Sequence, residues 1–375
     1  MAQSKVYFIS ARAKKWKYKY SVLGRLEEVI EKIKFEKYFK PKELVAIKLH
    51  LGTQGVHRNI KPVFLNKIVQ GVKNVGAYSF ITDTSFGKDS IEKYNVAKNL
   101  GINELTCNAP IIMADGIFGF DCVEVDMGEL IGKIGVASAI YDASAMIVAS
   151  HIKAHIQSGY AGAIKNLAMG ALCGARREGN SHEKARGRLH SLMSTKIKWV
   201  KEKCTKCEQC IDICPLEGLF FNQEGNLVFG ECYRCTRCVR ICQQGALIDT
   251  SNKEVFQEGL AYSAKGVINT FKKNKILYFN FLLDITPECD CIPVSDTPIV
   301  QDQGILISDD IVAVEKASYD MITNALPLPQ SLADDRKIKD CKNIFQELHN
   351  CPAFLHIEKS RELNLGNMDY EIIEI

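Results

Sequence analysis

Apolar residues recur at two alternating spacings along the first hundred residues. Short runs rich in β-branched and aromatic residues predict three strands, at 5–10, 44–49 and 78–83. Between and after them, apolar residues three and four positions apart predict three helices, at 23–33, 62–75 and 90–100. This alternation of strand and helix is typical of a layered α/β sheet.

The same pattern returns in the second half of the chain. Residues 276–283 form a continuous apolar run, which predicts a central strand covered on both faces, and 145–149 predicts another buried strand. Further elements are predicted as helices at 253–271, 313–324 and 341–348 and a last strand at 370–375. We therefore predict an α/β layered core, with a mixed or mostly parallel sheet flanked by helices.

Eight of the fifteen cysteines lie in two runs with the spacing C-x2-C-x2-C-x3-C. This is the ligand pattern of a two-cluster [4Fe–4S] ferredoxin, in which the fourth cysteine of each run binds the other cluster. Zinc ribbons separate their two ligand pairs by roughly twelve or more residues, so a pair of zinc sites is the less favoured alternative. The predicted ligands are Cys204, Cys207, Cys210 and Cys242 for the first cluster, and Cys232, Cys235, Cys238 and Cys214 for the second.

Sheet-forming pattern lies on both sides of these cysteines, which favours an insert within one α/β domain. We predict a first part of the α/β domain at 1–197, an α+β two-cluster ferredoxin-like insert at 198–250, and the second part at 251–375. Between 201 and 249 we count six basic and seven acidic residues, so the insert is nearly neutral. A neutral insert in a larger chain favours an internal electron relay.

Polar residues follow the predicted strand at 145–149. They are His151, Lys153 and His155, and then Lys165 and Asn166 in a glycine-containing stretch. Open sheets place ligand-facing residues at the carboxyl ends of strands, and the P-loop pattern G-x4-G-K-S/T is absent. We predict a catalytic site at His151, His155, Lys165 and Asn166; the alternative is a set of structural side chains.

Two more strand ends carry polar residues. The strand at 44–49 leads into Lys48, His50 and Gly52, and Asp83 ends the strand at 78–83. Asp83 is interpreted as either a ligand-facing residue or a turn or N-cap aspartate.

A basic segment with neither helical nor strand spacing precedes the cysteines: Arg176, Arg177, His182, Lys184, Arg186, Arg188 and His190. It is interpreted either as a lid or tether suited to an anionic ligand, or as a solvated linker.

The pair Cys289 and Cys291 follows the predicted central strand. A Cys-x-Cys pair binds metal when other ligands converge on it, and Cys173 is the candidate partner, with Cys107 and Cys122 as others. The alternative is free cysteines packed as small apolar residues. We therefore keep a third metal or cluster site at Cys289, Cys291 and Cys173 as a hypothesis.

Charge and composition narrow the classes of partner. The net charge of +4 over 375 residues is too small to argue by itself for nucleic-acid binding. Basic and aromatic residues interleave at 12–20, a pattern that can bind single-stranded nucleic acid, but a solvated loop is the favoured interpretation. No apolar run reaches the roughly eighteen residues of a membrane span, and the N-terminus lacks a signal-peptide core. With cysteines in cluster spacing, this favours a reducing cytoplasm and no membrane span.

The chain resembles the domain-of-unknown-function 362 family of iron–sulfur proteins. The Lys165-Asn166 and Cys289-Asp290-Cys291 motifs are the more specific ones. The other matching stretches are 48–52, Asp115-Gly116, 150–155, 162–170, the two cysteine runs and 303–313. The resemblance implies an α/β core carrying a bacterial-type ferredoxin module, and it implies no substrate.

Two functions follow from these predictions. In the first, the clusters relay electrons from a redox partner protein to a reaction site on the α/β domain, making an oxidoreductase that acts on an anionic small molecule. In the second, the chain is a non-catalytic electron-transfer or accessory subunit that delivers electrons to a partner enzyme.

Overall fold

A computed structural model describes residues 3–85, 90–174, 186–192, 197–230, 232 and 235–375. The strands of this described part are β1 (Ser4–Ser10), β2 (Leu44–Lys48), β3 (Tyr78–Asp83), β4 (Ile111–Met113), β5 (Cys122–Asp126), β6 (Lys133–Ala137), β7 (Ala145–His151), β8 (Lys153–His155), β9 (Gly159–Ala161), β10 (Ile197–Trp199), β11 (Leu219–Phe221), β12 (Leu227–Phe229), β13 (Leu247–Asp249), β14 (Ile276–Leu282), β15 (Gly304–Ser308) and β16 (Tyr370–Glu374).

The helices of the same residues are α1 (Val22–Ile33), α2 (Pro62–Asn74), α3 (Ser90–Asn99), α4 (Glu104–Cys107), α5 (Ser138–Tyr141), α6 (Ala163–Gly170), α7 (Gly187–Leu192), α8 (Gln209–Asp212), α9 (Arg237–Ile241), α10 (Lys253–Ile268), α11 (Ile311–Thr323), α12 (Leu332–Asp335), α13 (Ile344–His349) and α14 (Leu355–Glu362). No helix among the described residues is both long and apolar enough to cross a membrane.

The main sheet has eight strands in the order β16-β1-β15-β14-β7-β2-β3-β4 within the described residues. Every neighbouring pair is parallel except the two pairs made by β15, which runs antiparallel to β1 and β14. The prediction of a mostly parallel, mixed sheet flanked by helices is confirmed. Its strands come from both sides of the cysteine-rich segment (residues 198–250).

Alternate residues of the central strands pack into two apolar cores, one on each face of the sheet. Met146 and Val148 of β7 belong to the core formed with α6, α10 and α11, while Ile147 and Ala149 belong to the core formed with α1 and α2. Every residue of β7 and β14 is buried. The central strand predicted at 276–283 is therefore confirmed, because helices cover both of its faces.

The structure differs from the predicted elements at His151 and in the basic segment, among other places. The strand predicted at 145–149 continues to His151, so this histidine ends β7 rather than following the strand. The basic segment contains a helix, α7, where the sequence pattern predicted none. Tertiary packing explains α7, since it lies against α10 and buries Leu189.

The cysteine-rich segment has its own small core. β10 pairs with β13, and β11 pairs with β12, both antiparallel, while the short helices α8 and α9 contact each other. Leu219, Leu227, Leu247 and Cys238 form the buried centre, against which Cys210, Cys214 and Cys242 pack.

Candidate functional site

Side chains from the ends of several parallel strands surround one cavity of about 340 Å³. Lys48 ends β2, Asp83 ends β3 and His151 ends β7, and the loop after β14 carries Cys289 and Cys291. The carboxyl ends of parallel strands meet at one edge of a sheet, where open α/β sheets bind ligands. Residues distant in sequence therefore converge there.

Lys48 and Asp83 form a buried ion pair at the base of the cavity. Lys48 Nζ lies 3.0 Å from Asp83 Oδ1 and also donates to Asn166 Oδ1 at 2.8 Å. Burial lowers the pKa of Lys48 to about 8, although Asp83 favours the charged form. The amide of Asn166 donates in turn to the Ala149 carbonyl at 3.0 Å. Asn166 therefore holds Lys48 in place, rather than offering a free group to the cavity.

His50 connects this ion pair to the cysteines. Its Nδ1 lies 3.1 Å from Asp83 Oδ2, and its Nε2 lies 3.5 Å from Cys291 Sγ. Asp83 Oδ2 also accepts from the Leu51 amide at 3.0 Å. The position of the imidazole is thus fixed by a buried carboxylate.

Cys289 and Cys291 point their sulfurs at each other and at a lysine. The sulfur atoms are 2.9 Å apart, well beyond the roughly 2.05 Å of a disulfide bond. Lys165 Nζ donates to Cys289 Sγ at 3.4 Å and to Cys291 Sγ at 3.3 Å. Burial opposes ionisation of Cys289, but the hydrogen bond with Cys291 and the charge of Lys165 lower the pKa of its thiol to about 5. Reactive or metal-binding thiolates occur in surroundings of this kind.

Asp290, between the two cysteines, anchors their loop to the sheet. Its Oδ2 lies 3.0 Å from His151 Nδ1 and also accepts from Lys153 Nζ. The other ring nitrogen of His151 faces the carbonyl oxygens of Leu283 and Asp284, at 3.1 and 2.9 Å. Both nitrogens of His151 are thereby engaged, which favours a positioning role for this residue.

His155 presents one ring nitrogen to the cavity. Its Nδ1 accepts from the amides of Gln157 and Ser158, each at 3.1 Å, so the proton of the neutral ring is on Nε2. Burial and the charge of Lys165 lower the pKa of His155 to about 4. Neutral His155 is therefore a hydrogen-bond donor at the cavity, where its side chain interacts with Cys291.

Arg186 forms part of the cavity wall. It is buried and donates through Nη1 to Thr84 Oγ1 at 3.2 Å and through Nη2 to the Ser85 carbonyl. Burial lowers its pKa, while Asp83 and Asp115 favour its charge. The interpretation of this segment as a solvated linker is therefore wrong at Arg186. The structure places His190 on the cavity, and Arg176, Arg177, His182 and Lys184 lie outside the described residues.

Helix α6 carries Lys165 and Asn166, and a buried glutamate caps its start. Glu315 Oε1 accepts from the Ala163 amide at 2.7 Å, and Oε2 accepts from the Ile164 amide at 3.3 Å. A Cβ on Gly162, the N-cap residue, would lie 2.2 Å from Glu315 Oε1. Glycine is thus required where the carboxylate approaches the helix.

The cysteine-rich segment reaches the same cavity. Cys232 lines it, and Arg237 Nη2 donates to Glu288 Oε1 at 2.7 Å, next to Cys289. Arg240 Nη1 donates to the Leu348 carbonyl at 2.8 Å. A second cavity, of about 100 Å³, lies within the segment. It is lined by residues that include Cys204, Cys207, Cys210 and Cys242.

Residues 45–320 match a family described as a domain of unknown function, DUF362. The chain belongs to the DUF362 family. Among solved structures, the lactate racemase apoprotein from Thermoanaerobacterium thermosaccharolyticum is similar at 12% identity and a TM-score of 0.32, over 75% of this chain and 51% of that protein. The chain thus spans about half the length of that protein. No curated protein matches.

All the described residues that line the cavity with Cys289 and Cys291 lie within the DUF362 region. The four residues predicted as catalytic are among them: His151, His155, Lys165 and Asn166.

Cys289 and Cys291 also meet at this cavity, but Cys173 does not complete a metal group with them. It lies beside Cys122, since a Cβ on Gly135 would be 2.7 Å from Cys173 Sγ and 2.5 Å from Cys122 Sγ. Cys107 packs in the core on the α1 and α2 side of the sheet.

The donor that joins the cysteine pair is His50, which the predicted site omitted. Its Nε2 and the two sulfurs lie within 4.8 Å of one another, and these three residues could hold a metal ion. Lys48, Asp83 and Asp290 were likewise missing from the predicted site. Their positions in the sequence carried a signal, because Lys48 and Asp83 lie at the carboxyl ends of predicted strands and Asp290 lies in the loop after another.

Proposed function

We propose that this DUF362 chain binds two [4Fe–4S] clusters through its two cysteine runs and relays electrons to a reaction site in the cavity of its α/β domain. The observation that carries the proposal is the position of Cys232. This residue is a proposed ligand of the second cluster, and it lines the cavity that contains Cys289, Cys291 and Lys165. Clusters held there would supply one-electron transfer between a redox partner protein and the cavity.

The donor groups of the cysteine-rich segment fit such clusters. Four thiols around one small cavity match the donor set of a cubane: Cys204, Cys207, Cys210 and Cys242. In the second set, Cys232 and Cys235 lie within electrostatic reach of Cys238, and Cys214 packs against the same small core. We propose the boundaries 198–250 for this ferredoxin-like insert.

The cavity residues suit an anionic small molecule. Lys165 and Arg186 bring positive charge to its wall, and His155 offers a hydrogen-bond donor. Lys48 is bound by Asp83 and Asn166, and His151 is bound by Asp290. We therefore assign Lys48 and His151 a positioning role and not direct contact with the substrate. The proposed reaction is a reduction of a bound anion, with proton delivery from a side chain of the cavity.

Anaerobic iron and sulfide analysis with EPR tests the clusters. We expect about eight irons per chain, and about four in the Cys204→Ala/Cys207→Ala double variant. Cys341→Ala is the matched control, because Cys341 is buried far from either run in sequence and should leave the iron content unchanged. An iron content near eight in the double variant, or zinc in place of iron in the purified protein, would refute the assignment.

Reoxidation of the reduced protein tests the destination of the electrons. We expect some members of a panel of small carboxylates and oxyanions to restore the visible absorption of the reduced protein. Lys165→Ala should lose this response, whereas the control Lys272→Ala, an exposed lysine before β14, should keep it. If no small anion acts and only a partner protein oxidises the chain, the accessory-subunit function is correct instead.

A further inference from the structure

Three donor atoms from distant parts of the chain meet at the cavity. Cys291 Sγ lies 3.5 Å from His50 Nε2 and 2.9 Å from Cys289 Sγ, and all three atoms lie within 4.8 Å of one another. With Zn–S bonds near 2.3 Å and Zn–N bonds near 2.0 Å, tetrahedral sites separate sulfur from nitrogen by about 3.5 Å and two sulfurs by about 3.8 Å. The imidazole is already at the required separation from Cys291, and the two sulfurs need to open by about 0.9 Å.

The second ring nitrogen of His50 has the partner that a metal-binding histidine needs. Nδ1 faces Asp83 Oδ2 at 3.1 Å, so the proton of the neutral ring is on Nδ1 and the lone pair on Nε2 is directed towards Cys291. Histidines that bind metal commonly donate their other N–H to a carboxylate, which fixes the ring and its tautomer. Asp83 is itself held by Lys48 Nζ at 3.0 Å and by the Leu51 amide.

The loop that carries the two sulfurs is anchored in a comparable way. Asp290, between the cysteines, is paired with His151 and Lys153 on and beside β7. The Cys291 amide lies 3.4 Å from Cys289 Sγ and donates to it. The thiolate ligands are thus presented by a loop fixed on the sheet, rather than by a free chain.

Three protein ligands leave one tetrahedral position vacant. Structural zinc sites have four protein ligands, whereas catalytic sites have three and an open position, and two cysteines with one histidine are one such set. Among the described residues, three donors converge here and not four. All three donor residues line the cavity of about 340 Å³, so a fourth ligand would come from the cavity, where Lys165 Nζ lies 3.3 to 3.4 Å from the two sulfurs.

We propose that Cys289, Cys291 and His50 bind one divalent metal ion, with its open coordination position facing the cavity and occupied by a small anionic substrate beside Lys165. Two thiolates and a neutral imidazole cancel the charge of a divalent ion, and Lys165 then leaves the site positive. Zinc and ferrous iron both accept sulfur and nitrogen donors. The metal site deepens the proposed function, because it names the centre on which the cavity's reaction is built, but it stands without the clusters.

Zinc binding to the full-length protein tests the site. Zn²⁺ is added anaerobically to the purified, reduced chain, and X-ray absorption at the zinc edge reports its ligands even when iron is present. We expect one zinc per chain, with two sulfurs at about 2.3 Å and one histidine nitrogen at about 2.0 Å. In His50→Ala the affinity for zinc should fall tenfold or more, and in Cys289→Ala this site should be lost.

His57→Ala is the matched control, since His57 is an exposed histidine seven residues further along the chain. Iron content and circular dichroism of each variant show that it is folded. Zinc with four sulfur ligands would lie in a cysteine run and would overturn the inference. So would a Cys289–Cys291 disulfide in the oxidised protein together with no zinc bound after reduction, since the pair would then be a redox dithiol. Iron is counted separately, so failure of the zinc site and failure of the cluster proposal give different results.

Discussion

Replacing Glu315 by glutamine should change how the stability of this protein depends on pH. Glu315 is fully buried on α11. In every hydrogen bond described for its carboxyl group, a Glu315 oxygen is the acceptor. The donors are the amides of Ala163 and Ile164, the Asn280 side chain at 2.9 Å and the Tyr160 hydroxyl at 3.3 Å. Against these donors, burial still raises the pKa of Glu315 from about 4.5 to about 7.

The magnitude follows from the size of this pKa shift. A raised pKa means that the folded state binds a proton that the unfolded state releases, so stability is lost as pH rises from about 4.5 through about 7. A shift of about 2.5 units corresponds to about 3 kcal/mol. For 375 residues unfolding together, this is about 4 °C in the melting temperature. The Glu315→Gln variant cannot release a proton and should lack this loss.

At low pH the variant should be the less stable protein. The glutamine NH2 group would face donors where the carboxyl group accepts, and a buried donor without an acceptor costs about 1–3 kcal/mol. The difference in melting temperature between variant and wild type should therefore favour wild type at pH 5 and move by about 4 °C towards the variant by pH 8.

Paired thermal melts from pH 5 to pH 8 measure this difference, in which the titration of all other groups cancels. Hydrogen exchange of peptides covering α6 gives a local measurement, because Ala163 and Ile164 donate to different oxygens of Glu315 and one of these oxygens becomes an NH2 group. Glu254→Gln, at an exposed position of α10, is the control and should run parallel to wild type at every pH. Parallel curves for Glu315→Gln would show that the buried carboxyl group does not titrate as reasoned.

Three further substitutions test the packing of the site and the charge around the proposed second cluster. In Gly170→Ala the new methyl would lie 2.3 Å from Lys48 Nζ. We therefore expect stability to fall by about 1–3 kcal/mol while the iron content stays unchanged. A higher melting temperature, which helix propensity alone predicts, would contradict this. Arg240→Ala should lower the reduction potential of that cluster in an EPR titration more than Arg237→Ala, because Glu288 already offsets the charge of Arg237. Equal shifts in the two variants would show that the salt bridge does not screen Arg237.

The apolar pattern predicted most of the sheet because the burial of a strand determines which of its own residues are apolar. The fully buried β14 appears as an unbroken apolar run, and β7 was predicted with only its last two residues missing. Asp83 was correctly placed at a strand end, where open sheets bind ligands. Strand positions and strand ends can be predicted because they depend on residues only a few positions apart in the sequence.

The composition of the site depends on the order of strands, which no local pattern contains. Cys291 and His50 are 241 residues apart and meet because β14, β7 and β2 are adjacent in the sheet. The sequence offered Cys173 as the third donor because thiols are the obvious partners of thiols. The sequence pattern places Arg186 in a polar segment, and its burial cannot be predicted without knowing the partners that compensate its charge.

The loop with the two cysteines is held from both sides, and this bears on the proposed relay. Glu288 is paired with Arg237 of the cysteine-rich segment, while Asp290, two residues later, is paired with His151 at the end of β7. Freely diffusing electron carriers rely on a strong net charge to steer docking, because each encounter must find the correct surface. Here the cysteine-rich segment is part of the chain and is positioned by specific contacts, so it needs no net charge to dock on the α/β domain. Its near-neutral charge agrees with this. If the segment is the proposed relay, its electrons would reach the cavity beside Cys289, and we expect the redox partner to contact the other end of the segment, near Cys204.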